Sequence, residues 1–255
     1  MGELRAERDG GVLTLTIDRE ARRNSLSTEV MRGLLDALVG VGDARVVVVA
    51  GAGEKVFCSG ADLTGMADDA TGLEQHEGRG LLVQVVLAMR ACPVPVVARV
   101  HGLCLAGGMG LAMGCDLVVA SSDARFGLPE VDLGLWPFMV SALLARHVSP
   151  KHALDLMLLA DRIDADTAWR MGLVSRVLPA ETYAADFEAL VARLAGKAPA
   201  AVRLGKASFA AVPEMSLEAG LEAMQAQLSL LATTKDVEEG IAAFFEKRPP
   251  RWTGR

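Results

Sequence analysis

The residues with the clearest capacity for chemistry lie between His101 and Asp116, read as His-Gly-Leu-Cys-Leu-Ala-Gly-Gly-Met-Gly-Leu-Ala-Met-Gly-Cys-Asp. The apolar run Val94–Val100 before them predicts a buried strand. Gly107, Gly108 and Gly110 then open what the pattern predicts to be a helix through Gly114. A strand that turns through glycines into a helix leaves backbone N–H groups unpaired at the helix start, where the helix dipole adds partial positive charge. Such a turn holds a phosphate, or an oxyanion formed during reaction. Glycines there also let a helix pack closely on a sheet, and at this level both readings stand.

Cys58, Cys92, Cys104 and Cys115 form no C-x-x-C pair, and the four histidines are not at metal-ligand spacing from them. Reduced, buried thiols and no metal are expected. The net charge of −6, from 26 basic and 32 acidic residues, argues against a nucleic-acid partner. The N-terminus has no apolar signal core, and no apolar run reaches membrane-spanning length. A cytoplasmic chain with no membrane partner is the expectation.

Several elements must position the glycine turn. Val12–Ile17 alternates as a half-exposed strand after Gly10-Gly11, and Arg45–Ala50 is a second, fully apolar one. Between them lies a polar loop with three arginines, Arg19 to Asn24, then a helix capped by Ser27 with Val30, Met31, Leu34, Leu35 and Leu38 on its apolar face. This alternation suggests a parallel α/β arrangement. Gly51–Gly65 reads as a long functional loop, Met66–Gly80 as a mobile cover, and Leu81–Ala91 as a helix stopped by Cys92-Pro93. Leu117–Ala120 is another strand, and Ala124–Glu130 a short extended segment with a turn. Helical periodicity covers 147–160, 164–171, 183–194, 200–211 and 216–245. The composition shows no linker between independently folding domains.

The chain resembles the enoyl-CoA hydratase/isomerase family, the crotonases, over nearly its whole length. The matching pieces are Arg23-Asn24-Ser25-Leu26, Phe57-Cys58-Ser59-Gly60-Ala61-Asp62-Leu63, Ala106-Gly107-Gly108 through Cys115-Asp116-Leu117, and Phe126–Gly134. Ala168-x-x-Met171-Gly172-Leu173-Val174 and the ending Gly240-Ile241-x-x-Phe244-Phe245-Glu246-Lys247-Arg248 complete the series. The resemblance implies an α/β fold: a crotonase-like spiral of ββα turns over residues 1–195, with a helical C-terminal trimerisation region over 196–255 in the same unit. It implies assembly as a homotrimer or homohexamer, and an acyl-CoA substrate with no cofactor beyond the coenzyme A that the substrate carries. Two backbone N–H groups, at Ala61 and Gly107 by position, would stabilise a thioester enolate.

By the same resemblance, hydratases of the family hold a water between two glutamates. The second is present as Glu130, whereas the first falls on Gly110, which has no side chain. A single carboxylate suffices for 3-enoyl to 2-enoyl isomerisation through the same enolate, and this is the favoured expectation. Hydration in spite of Gly110 comes next, and a non-catalytic crotonase-like protein after it. Coenzyme A phosphates would meet Arg22 and Arg23, with Asp62 and Leu63 contacting nucleotide or pantetheine through backbone. Phe244 and Lys247 would reach the coenzyme A of a neighbouring subunit. Trp136–Met139 is expected to shape the acyl pocket. Asp132, His101 and His76 are expected to be structural or solvated.

Overall fold

Gly10 and Gly11 adopt positive φ (52° and 81°), a turn open to glycine at little cost, and join β1 (Leu4–Asp9) to β2 (Val12–Ile17) as an antiparallel hairpin. The computed structural model describes residues 2–62 and 72–255. In α1 (Thr28–Val39), the Ser27 hydroxyl accepts the Val30 N–H at 3.1 Å, and Val30, Leu34 and Leu38 are buried at helical spacing.

Three turns of similar build follow. The first is β3 (Val46–Gly51), β4 (Val56–Cys58) and α2 (Gly72–Ala91). The second is β5 (Val96–Val100), β6 (Leu103–Leu105) and α3 (Gly107–Gly114). The third is β7 (Leu117–Ser121) and β8 (Arg125–Gly127), then a 3-10 turn at Pro129–Leu133 and α4 (Phe138–His147). After α5 (Pro150–Leu159) come β9 (Ile163–Asp164), α6 (Ala165–Met171), β10 (Arg176–Leu178), α7 (Tyr183–Ala195), α8 (Pro199–Ala211), α9 (Leu217–Leu231) and α10 (Lys235–Glu246).

The strands divide into two sheets, ordered β1-β2-β3-β5-β7-β10 and β4-β6-β8-β9. This corrects the simple parallel α/β arrangement suggested by the pattern of runs. Each turn places its first strand in the large sheet and its second in the small one, which is the expected spiral of ββα turns. The corners are tight: at Gly102 (φ 55°) a Cβ would stand 2.1 Å from the Lys55 carbonyl oxygen, so only glycine fits.

The strands of the large sheet are apolar throughout because both faces are covered. Val47 and Val49 join the main core with Leu15, Phe57, Met109 and Phe126, while Val46 and Val48 pack with Val97, Val119 and Phe187 on the opposite face. Tyr183 of α7 closes that second face, its hydroxyl donating to the Val119 carbonyl at 2.9 Å. The C-terminal tail is fastened by Asp236, which is 2% exposed and accepts from the N–H groups of Ala200, Thr253 and Gly254.

Other expectations change in detail. The helix expected from Leu81 begins at Gly72, so residues 72–80 of the presumed cover are helical, and 66–71 lie outside the described residues. The long loop contains β4, and its residues 63–65 lie outside the described residues. The periodicity over 147–160 belongs to the end of α4 and to α5, which Ser149 caps. That over 216–245 is two helices, because Thr234 leaves the first and caps α10. Among the described residues, no helix is long and apolar enough to cross a membrane.

Candidate active site

Three neighbouring parallel strands deliver the site. β4 pairs with β6 and β6 with β8, all in one direction. Ala61 follows the end of β4, Gly107 the end of β6 and Glu130 the end of β8, so all three emerge at the carboxyl ends of adjacent strands. Ligands of parallel sheets gather at that end.

At the first position, Leu26 forms a bridge with the 60–62 segment. The Leu26 N–H donates to the Gly60 carbonyl (2.8 Å), and the Asp62 N–H donates to the Leu26 carbonyl (3.1 Å). A parallel bridge of this kind uses the residues on either side of Ala61 and leaves the Ala61 N–H outside the ladder. Ala61 itself is exposed. At the second position, Ala106 turns the chain with φ 50° and ψ −131°, its own N–H held by the Gly127 carbonyl at 2.9 Å. Gly107 is the first residue of α3, where an N–H has no intrahelical acceptor.

The two amides approach each other through glycines. A Cβ on Gly107 would lie 3.6 Å from the Ala61 nitrogen. One on Gly60 (φ 97°) would lie 2.7 Å from the Ala106 Cβ and 3.0 Å from the Gly107 nitrogen. A Cβ on Gly108 would meet the Cys58 carbonyl oxygen at 2.4 Å, so α3 sits directly on the end of β4. The close-packing reading of the glycine turn therefore holds, and the packing brings the Ala61 and Gly107 N–H groups near one another.

Glu130 lies in the 3-10 turn, half-buried, and its Oε2 is buried with no hydrogen-bond partner among the described residues. Burial pushes its carboxyl above the ordinary glutamate range, opposed by its own backbone N–H. A carboxyl in that condition exchanges a proton closer to neutral pH than a solvated one. Gly110 faces Val140 of α4: a Cβ there would stand 3.0 Å from Val140 Cγ2 and 4.0 Å from Leu82 Cδ2. The atoms nearest that position are thus apolar, and one of them crowds it.

Of the other expected site residues, Arg22 and Arg23 are exposed, and the Arg23 carbonyl accepts the Ser59 N–H at 3.1 Å, which joins their loop to the Ala61 segment. The N–H of Asp62 is spent on Leu26 and its carboxylate on Arg19, so the backbone contact to substrate expected of it is not one its N–H makes in this arrangement. Leu63 lies outside the described residues. Phe244 (78% exposed) and Lys247 sit at the end of α10, which packs on α8. Asp132 is exposed in the 3-10 turn rather than in a strand, and His76 is exposed on α2. His101 stands at the opposite end of β6 from Gly107, its pKa lowered by burial. Trp136 packs on the main core, while Phe138 and Met139 are exposed.

A separate surface cavity of 520 Å³ is lined by Leu87, Arg90, Cys92, Arg203 and Ala210 and contains none of these residues. Arg19, buried against Asp62, escaped sequence reading: nothing local distinguishes it from Arg22 and Arg23, and its partner is 43 positions away.

The family model described as enoyl-CoA hydratase/isomerase matches residues 7–255. The chain is 35% identical to 2,3-dehydroadipyl-CoA hydratase of Escherichia coli K12, over all of both chains. It is 34% identical to crotonyl-CoA hydratase of Syntrophomonas wolfei, over 95% of this chain and 94% of the other. Among solved structures it superposes on an enoyl-CoA hydratase of Mycobacterium smegmatis with a TM-score of 0.93, at 33% identity over 99% of each chain. On human enoyl coenzyme A hydratase domain-containing protein 3 the TM-score is 0.94, at 29% identity over 98% of this chain and 100% of that one.

Proposed function

The chain belongs to the enoyl-CoA hydratase/isomerase family, and on that premise we propose that it isomerises 3-enoyl-CoA to 2-enoyl-CoA with Glu130 as the single acid–base group. The observation that supports this reading is the pairing of a buried Glu130 oxygen, without a hydrogen-bond partner among the described residues, with an apolar, crowded position at Gly110. One carboxylate is at hand, and no side chain at position 110 stands ready to hold a water.

The Glu130 carboxylate removes a proton from C2 of the thioester. The electron pair from that C–H bond moves into the C2–C1 linkage, and charge develops on the thioester oxygen. The N–H groups of Ala61 and Gly107 donate to that oxygen more strongly as the charge grows, which favours the transition state over the bound substrate. One such donor is typically worth roughly 3–4 kcal/mol. Protonated Glu130 then returns the proton to C4, and the double bond ends between C2 and C3. Arg22 and Arg23 supply cations for the coenzyme A phosphates. Exposed Phe244 and Lys247, with exposed Leu221 and Leu228 on α9, suit assembly with further copies as a homotrimer or homohexamer.

The names of the relatives favour a second reading, hydration of a 2-enoyl-CoA, in which Glu130 and backbone groups hold the water. The two are separated by incubating the purified protein with 2-enoyl-CoA and 3-enoyl-CoA of several chain lengths and resolving the products by chromatography, beside Glu130→Gln. Interconversion of double-bond isomers, lost in the variant, supports isomerisation. Rapid formation of 3-hydroxyacyl-CoA supports hydration, and neither product overturns both.

A further inference from the structure

We propose that Arg19 is a positioning residue that acts through Asp62 to aim the Ala61 N–H; this rests on the reading of that N–H as a donor to the thioester oxygen. Arg19 follows β2, far from Ala61 in sequence, yet its side chain is only 10% exposed. Its guanidinium is held on several sides. Nη2 donates to Asp62 Oδ2 at 2.7 Å, Nε pairs with Glu3 Oε1 at 2.8 Å, and Nη1 donates to the Ser25 carbonyl and hydroxyl, each at 2.8 Å. The Arg19 backbone N–H donates to Asn24 Oδ1 at 3.1 Å, and the Asn24 amide in turn donates to the carbonyls of Ala52 (2.9 Å) and Val56 (2.7 Å).

The geometry gives this cluster a task beyond holding loops together. The bridge to Leu26 fixes Gly60 by its carbonyl and Asp62 by its N–H, on either side of Ala61. Those two bonds hold the peptide between them at two points, and two points do not restrain rotation about the axis that joins them. The Asp62 side chain, bound to Arg19, supplies a third point. An exposed ion pair would constrain little, because water competes for both groups. Here the planar fork is largely shielded and already oriented by Ser25 and Glu3, so it resists rotation in a way a lysine ammonium would not. A donor amide loses effect steeply when misaimed: small displacements in an oriented site cost up to about 100-fold in rate.

The test compares Asp62→Asn, Arg19→Met and Arg19→Lys with wild type, and with Arg5→Met as a control. Arg5 forms a neighbouring but exposed pair with Asp18 (2.9 Å). Turnover of enoyl-CoA is measured, together with the ultraviolet absorbance of a bound 2,4-dienoyl-CoA, whose conjugated carbonyl shifts to longer wavelength when N–H donors polarise it. Asp62→Asn and Arg19→Met are expected to lower kcat about 10–100-fold with KM changed less than about threefold. The absorbance shift at saturating ligand should shrink in parallel, Arg19→Lys should fall between, and Arg5→Met should match wild type. Asp62→Asn keeps shape and volume, so the question stands even where Arg19→Met folds poorly. Full kcat and an undiminished shift in folded Asp62→Asn would overturn the positioning role while leaving the donor reading intact. Absence of any shift on binding to wild type would overturn the donor reading itself.

Discussion

Val140 Cγ2 lies 3.0 Å from the point where a Cβ on Gly110 would stand, closer than side chains ordinarily pack. A side chain at position 110 would therefore crowd Val140. Gly110→Glu alone should destabilise the protein by about 1–3 kcal/mol, as overpacking does, without creating a hydratase. Joined with Val140→Ala, it should recover part of the melting temperature and begin to form 3-hydroxyacyl-CoA from 2-enoyl-CoA. Thermal melts and product chromatography on both variants check this.

Glu130→Gln should lower kcat roughly 100- to 10,000-fold, the range of a lost general base, with thioester binding kept. Because the base form is the ionised one and burial raises the pKa, kcat/KM of the wild type should rise with pH through a midpoint above the usual glutamate range. The stability effect has the opposite sense. A carboxyl raised in the folded state contributes its full stability below its unfolded pKa and loses it as pH rises through the folded one. The glutamine variant should therefore gain in melting temperature relative to wild type as pH rises above the ordinary glutamate range.

Gly108→Ala should damage both fold and rate, since the new methyl would stand 2.4 Å from the Cys58 carbonyl oxygen, a backbone atom that cannot swing away. About 1–3 kcal/mol of stability and most of the activity should be lost. Gly78→Ala is the contrast: it lies within α2 with nothing inside 4 Å of its Cβ position among the described residues. There, helix propensity should add up to about 1 kcal/mol. Denaturant titrations of the two variants give the comparison.

Asp236→Ala leaves the N–H groups of Ala200, Thr253 and Gly254 without their acceptor. Unpairing a buried donor costs about 1–3 kcal/mol, and of the three only Ala200 is buried, so a loss of roughly 1–3 kcal/mol is expected. Desolvation works to raise the Asp236 pKa, but the bonds from Thr253, Ala200 and Gly254 outweigh it and hold it below the usual aspartate range. The stability it provides is thus present above the unfolded aspartate pKa and lost as pH falls through the folded one. Acid titration of the melting temperature should show wild type and variant converging at low pH.

Much of the scaffold can be read in the sequence because local chemistry writes it. Ser27 caps α1, the valine run of β3 is a strand buried on both faces, and the glycines after Ala106 open α3. The two-sheet arrangement is not legible in the same way. β4 is only Val56-Phe57-Cys58 within a glycine-rich stretch, and the corners that switch sheets are set by contacts such as Gly102 on Lys55. The early start of α2 is hidden by its polar, glycine-containing first turns. The roles of Ala61, Gly107 and Glu130 come from resemblance, and their arrival at the carboxyl ends of adjacent strands follows from strand order, which no single segment encodes. Arg19 and Val140 owe their importance to partners 43 and 30 positions away, Asp62 and Gly110, beyond the reach of any local pattern.

Two of the three groups at the ends of β4, β6 and β8 are main-chain amides, which every residue but proline carries. Short of proline, a substitution at Ala61 or Gly107 crowds the N–H there without deleting it. On the proposed reading, the oxygen-binding half of the site is damaged by displacing an amide, as at Gly108 or Asp62, whereas the proton-handling half at Glu130 is lost with one side chain. An ancestor built this way can exchange one reaction for another by editing a single side chain and the neighbour that fills its place, with the means of stabilising the intermediate inherited unchanged.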